Sequence, residues 1–125
     1  MSVFKVNVVV IHPADLGKRA PPLAVLVDTG SELTWLSSDV LASIGIVPLR
    51  KRSLRTATNQ MIQRDVGYAI LQAEGFETID EVVFAEAGDL SLLGVRTLEG
   101  FGVVVDNLAH RLVATTTLVA GSFSP

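Results

Sequence analysis

The stretch Leu23-Ala24-Val25-Leu26-Val27-Asp28-Thr29-Gly30-Ser31 decides the fold. Its five leading apolar residues, two of them β-branched, predict a buried strand. The strand delivers a carboxylate, Asp28, onto a Gly-containing turn with the hydroxyls of Thr29 and Ser31 close by. A bare Asp-Thr-Gly arises by chance in roughly one chain in fifty of this length. Its surroundings must therefore carry the argument.

Working outward, Val3 to Ile11 is Val-rich, broken by Lys5 and Asn7, and predicts a strand. His12 to Pro22 holds three prolines and Gly17 and predicts a loop. Ser38-Asp39 is placed to cap a short helix running to Ile44 and ended by Gly45. Pro48 to Arg55 and Met61 to Ala73 predict two strands around the polar turn Thr56 to Gln60. Gly75 marks the next turn, and Thr78 to Phe84 another strand. Leu92-Leu93-Gly94 repeats the apolar-run-to-Gly pattern of Asp28, an internal two-fold echo. Thr97 to Phe101 is helical in pattern, Val103 to Val105 a strand, Asp106-Asn107 a turn, and Arg111 to Val119 a last strand. Many short strands between turn signals predict an all-β barrel or sandwich. No internal boundary separates domains, so residues 1–125 are expected to form one.

With these segments in order, the chain resembles the retropepsin-like aspartic peptidases, the single-lobed family that includes the retroviral enzymes. The resemblance rests on Leu26-Val27-Asp28-Thr29-Gly30-Ser31 with the apolar Leu33, Trp35 and Leu36 behind it. It rests further on a hairpin-like segment at Thr58-Asn59-Gln60 and on Leu92-Leu93-Gly94 before a helical pattern. It implies an all-β, closed single-lobed barrel, with one short helix after Gly94, assembling as a two-fold homodimer. The chain departs from the retroviral pattern in three places. The flap lacks a Gly-rich tip, Val95 stands between Gly94 and Arg96, and Ser31 replaces the usual Ala.

The resemblance also implies roles. Peptide hydrolysis by carboxylates takes two of them, one as general base on water and one as general acid. The pair shares one proton, because two like charges at close range do not both ionise. The chain has one Asp-Thr-Gly, so the second Asp28 is expected from another copy across a two-fold axis. Asp28, Thr29 and Gly30 form the expected catalytic set. Thr29 would lock the two turns together, and Gly30 would let backbone pass close to the carboxylates. Ser31 would donate to the Asp28 carboxylate and shift the optimum toward acid. Glu32 would anchor the substrate backbone, with Arg96 as its partner. Leu26, Trp35, Leu92 and Leu93 would line apolar pockets. Thr58, Asn59, Gln60 and Met61 would belong to the flap that closes over substrate. The first and last strands, near Val3 to Val10 and Arg111 to Leu118, would add to the dimer interface.

Composition sets outer limits. Of 125 residues, 49% are hydrophobic and 18% charged. That is ample apolar material for a core, with an excess that suits a dimer interface. The net charge of −3 without a basic face speaks against nucleic acid as a partner. The chain has no cysteine, which excludes disulfides and thiolate chemistry and suits a cytoplasmic protein. Lys5 and Asn7 interrupt the N-terminal apolar run, so no signal peptide or membrane partner is expected. The initial Met1 suggests a free-standing chain rather than a piece cut from a polyprotein.

Blander readings stand beside the sharp ones. Asp28 could be an ordinary turn residue, since Asp-Thr-Gly is good turn chemistry. Asp106 follows three valines but lacks Thr-Gly, and reads as a hairpin turn. Trp35 could be core. The basic run Arg50, Lys51, Arg52 and Arg55 reads as a solvated strand or, more sharply, as selection for acidic substrate residues. His12 and His110 have no companions at metal-ligand spacing and read as surface residues; no metal and no cofactor are expected. The resulting function is an aspartic endopeptidase cutting extended peptides near apolar residues. The alternative is a catalytically silent peptide-binding or assembly module on the same fold.

Overall fold

The computed structural model describes residues 4–116, 120 and 121. Ten strands and two short helices follow in order. They are β1 (Lys5–His12), β2 (Asp15–Arg19), β3 (Leu23–Val27), β4 (Thr34–Ser37), α1 (Ser38–Ser43), β5 (Arg50–Arg55), β6 (Met61–Ala73), β7 (Phe76–Ala85), β8 (Leu92–Leu93), α2 (Val95–Phe101), β9 (Val103–Asp106) and β10 (Arg111–Ala114). Eight strands share one sheet in the order β2-β1-β3-β8-β4-β7-β6-β5, and β1 also pairs with β6. The pairings therefore run from β1 through β3, β8, β4, β7 and β6 and return to β1. The strands β9 and β10 form a separate hairpin.

Strand alternation sorts the side chains into two clusters. Val6, Val8 and Val10 of β1, Val25 and Val27 of β3, Leu71 of β6, Val82 of β7 and Leu93 of β8 meet in the main core. The alternate residues of the same strands face the other way. Val66 of β6 and Val83 of β7 join Leu33 in a second cluster, against which Trp35 and Leu54 pack. This smaller cluster lies under the hairpin of β5 and β6 and bears on the site. Burying each large aliphatic side chain contributes roughly 1.5–3 kcal/mol.

Most sequence expectations hold at the level of elements. The strands around Thr56 to Gln60 form an antiparallel hairpin with Arg55 opposite Met61. The turn after β6 uses Glu74 and Gly75, both at positive φ. Gly45, at φ 80, ends the turn after α1, its N–H donating to the Ala42 carbonyl. Asp106 is a hairpin residue, its Oδ1 accepting the N–H groups of Leu108 and Ala109 at 3.0 Å.

Three expectations are corrected. The loop over His12 to Pro22 contains β2, an edge strand whose residues are all exposed, so no burial pattern marks it. Both expected helices form, as α1 and α2. Ser38 does not cap α1; the N-cap is Ser37, without a side-chain bond, and the Ser38 hydroxyl donates to the Ala85 carbonyl at 2.9 Å. Val6, Val8 and Val10 fill the chain's own core, so the apolar side of β1 is not free for a partner. The expected last strand ends at Ala114; Val3 and residues 117–119, expected at the interface or in that strand, lie outside the described residues.

Candidate active site

The turn that carries Asp28 is held by backbone on both sides. The strands β3 and β8 run parallel, with Leu26 beside Leu92 and Val27 beside Leu93. The Asp28 N–H donates to the Leu93 carbonyl at 3.0 Å. After the turn, the Ser31 and Glu32 carbonyls accept the N–H groups of Val95 and Arg96 at 2.8 and 3.1 Å. These are the first donors of α2, which have no partner inside the helix. The helix start and the Asp28 turn thus satisfy each other. Gly94 sits where they cross: a Cβ there would overlap the Leu33 carbonyl and come within 3.0 Å of the Ser31 oxygen.

A buried hydroxyl relay braces this crossing. The Thr97 hydroxyl donates to Asp80 Oδ2 at 2.8 Å. Its 2.6 Å bond with the Thr34 hydroxyl must then take its proton from Thr34. Thr34 Oγ1 in turn accepts the Gly94 N–H at 2.9 Å. Both hydroxyls of the relay are used, as burial requires, since Thr34 and Thr97 are both fully buried.

Within the turn, Asp28 is half-buried and Thr29 and Gly30 are exposed. The Gly30 N–H donates to Asp28 Oδ1 at 2.9 Å, orienting the carboxylate. Ser31 does not reach that carboxylate. Its hydroxyl donates to the Leu33 carbonyl at 2.7 Å, a local side-chain-to-backbone bond two residues on. The expected effect of Ser31 on the acid optimum therefore loses its basis.

Beside the turn lies a cleft of about 390 Å³. One wall is Gly30, Ser31, Glu32 and Leu33, with Trp35 beneath, and the other is Arg52 to Arg55 of β5. Of the expected site residues, the structure brings Gly30, Ser31, Glu32 and Trp35 to this cleft. Trp35 is half-buried and serves both cleft and second cluster. Leu93 is fully buried in the main core and Leu92 is buried next to it in sequence, and neither lines the cleft. Leu26 is half-buried within β3. Thr58, Asn59, Gln60 and Met61 are exposed at the hairpin tip, clear of the cleft wall. The tip replaces glycine with Asn59 at φ 65, a residue type that tolerates the left-handed region. The turn is closed by the Thr56 N–H to the Gln60 carbonyl at 2.8 Å.

Sequence reasoning missed Glu81. Its carboxylate, only 6% exposed, receives Arg50 at 2.6 Å, Arg52 at 2.7 Å and Arg96 at 3.5 Å. Arg96 also pairs with Glu32 at 3.0 Å, the partnership expected from sequence. The network ties β5, β7, α2 and the Asp28 turn together. The spacing of Arg50 and Arg52 was a usable signal, since residues two apart on a strand share a face and two guanidiniums there need a counter-charge. The remaining members of the basic run point elsewhere: Lys51 pairs with Asp65 at 2.9 Å, and the Arg55 guanidinium donates to the Asn59 side chain.

Among the described residues, no group of three or more His, Cys, Asp or Glu side chains is placed to hold a metal ion. Among them no helix is long and apolar enough to cross a membrane. His110 is exposed and stacks on Phe4, and His12 Nδ1 accepts the Ala14 N–H at 3.0 Å.

No protein-family model matches the sequence, and no curated protein matches it. Among solved structures, the chain is similar to EIAV protease complexed with the inhibitor HBY-793, with 18% identity and a TM-score of 0.51. The likeness spans 87% of this chain and 90% of that one. At this identity the likeness is one of fold: the chain is mostly β and retropepsin-like in architecture.

Proposed function

We propose that this chain is an aspartic endopeptidase that works as a homodimer, with two Asp28 carboxylates meeting at the two-fold axis. The observation that carries the reading is the Asp28 turn itself. A carboxylate stands at a strand end, oriented by the Gly30 N–H, on a turn held by Leu93 and by the start of α2. A structural turn Asp has no need of an adjoining cleft, yet Gly30 to Leu33 form one wall of a cleft large enough for peptide side chains. The exposure of Thr29 suits a residue that meets its counterpart on a second copy. The return of the strand pairings to β1 supports a closed barrel, with residues 1–125 as one domain.

In this mechanism one Asp28 is ionised and its counterpart protonated. The ionised carboxylate takes a proton from water as the oxygen attacks the scissile carbonyl carbon. The protonated partner gives its proton to the carbonyl oxygen. On collapse of the tetrahedral species the C–N bond breaks and the amine nitrogen takes a proton from the dyad. Glu32, fixed by Arg96, stands at the cleft mouth to hold the substrate backbone. Trp35, Leu33 and Leu54 offer apolar surface for side chains near the cut.

The test is cleavage of a mixed peptide pool from acid to neutral pH by this chain and by Asp28→Asn. Cuts between apolar residues that vanish in the variant support the peptidase. A dimeric protein that cuts nothing at any pH, yet binds the peptides, points to the silent binding module instead.

A further inference from the structure

The charges around Glu81 do not balance. Arg50, Arg52 and Arg96 converge on its buried carboxylate, and Glu32 adds the second anion through Arg96. Three guanidiniums thus face two carboxylates, leaving one positive charge in surplus. Of the three, Arg52 is the one that lines the cleft. Its side chain is 28% exposed, so it is partly withdrawn from water. Among the described residues its guanidinium donates only through Nη1, to Glu81 Oε1. A guanidinium carries five N–H donors, so most of its fork is open. Trp35, Leu33 and Leu54 beside it form an apolar bed for an aliphatic stem. Arg55 also lines the cleft, but its guanidinium is turned to Asn59 in the hairpin.

We infer that the cleft beside Asp28 takes a carboxylate-bearing side chain of the bound peptide, Glu or Asp, on the guanidinium of Arg52. This names the substrate class within the proposed function and rests on that reading for where the peptide lies. The incoming carboxylate supplies the missing negative charge. A charge-assisted, forked bond in a partly dry cleft is stronger than one on an open surface. Glu81 is then a positioning residue: it holds Arg52 toward the cleft without touching substrate.

The test uses terminally blocked peptides with an apolar centre and a single Glu, Gln or Lys scanned through the flanking positions. At one position the Glu peptide should exceed its Gln twin in kcat/KM by about tenfold at low salt, with Lys poorer still. High salt should shrink that ratio. Arg52→Gln should bring it close to one, Arg52→Lys should keep part of it, and Arg55→Gln should leave it standing. The same ratio should appear in the Kd values of Asp28→Asn, read by fluorescence anisotropy of labelled peptides. Equal handling of Glu and Gln at every position overturns the proposal, as does a ratio that Arg55→Gln abolishes and Arg52→Gln does not. A chain that prefers the Glu peptide but cuts nothing keeps this proposal and overturns the peptidase. A chain that cuts without preference does the reverse, and one that binds no peptide overturns both.

Discussion

The N–H of Asp28 donates to the carbonyl of Leu93 at 3.0 Å. This bond joins the end of β3 to the end of β8, one residue before Gly94. The carboxylate is therefore placed by a segment 65 residues further along the chain, not only by its own turn. Any change that parts β3 from β8 moves the site.

Gly94→Ala should be strongly destabilising. The added Cβ would overlap the Leu33 carbonyl, a backbone group that cannot swing away. Overpacking against backbone costs about 3 kcal/mol. Gly17→Ala is the control, since its Cβ would meet only Asp15 Oδ1 at 3.5 Å. Its cost should stay below about 0.5 kcal/mol. Urea unfolding of both variants checks the pair; equal midpoints would contradict the crossing geometry.

Glu81→Ala should loosen the hairpin of β5 and β6. Arg50, Arg52 and Arg96 would lose their shared carboxylate, but each is partly exposed and water takes up some of the charge. The cost is about 2 kcal/mol, less than for a fully buried pair. Amide exchange should rise first in β5, an edge strand that pairs with β6 alone among the described residues. Unchanged protection in β5 would show that the network does not hold the hairpin.

Acid should weaken the loop that leads into β8. Asp89 receives Arg64 Nε at 2.8 Å and Nη2 at 3.0 Å. These hydrogen bonds outweigh burial and, with the Glu86 N–H, hold the carboxyl below its ordinary value of 3.8. A carboxyl with a lowered folded pKa contributes stability that is present above its unfolded pKa and is lost as pH falls through the folded one. The loss therefore begins near about pH 4 and continues below it. Asp89→Asn should flatten that part of the stability-versus-pH curve. Asp106, lowered by the Ala109 and Leu108 N–H groups, acts in the same window and leaves some slope. A slope unchanged in Asp89→Asn would contradict the assignment.

What was legible in the sequence was local. The Asp28 turn, the hairpin around Thr56 to Gln60 and the Asp106 turn all declare themselves through neighbouring residues. The helix after Gly94 was legible for the same reason. The strand β2 was not, because edge pairing with β1 needs no burial and leaves no alternation in Asp15 to Arg19. Sequence order offers the Ser31 hydroxyl to Asp28, but the Leu33 carbonyl accepts it at 2.7 Å. Leu93 looked like a pocket residue because apolar character alone does not tell core from cleft; its place opposite Val27 in a parallel pair settles the matter. The spacing of Arg50 and Arg52 asks for a counter-charge but does not point to Glu81, because only the fold brings it to β5 and α2.

In the proposed peptidase each active site takes one Asp28 from each of two chains. Asp28→Asn is nearly isosteric and keeps the acceptor for the Gly30 N–H, so it should fold and pair like the parent. The most direct measurement is peptide hydrolysis at a fixed amount of parent chain as Asp28→Asn is added, after time for exchange. Mixed dimers hold only one carboxylate of the dyad. Activity should fall to about half at equal amounts and to roughly a tenth at ninefold excess, as random pairing requires. Hydrolysis that stays constant as the variant is added would contradict the shared site.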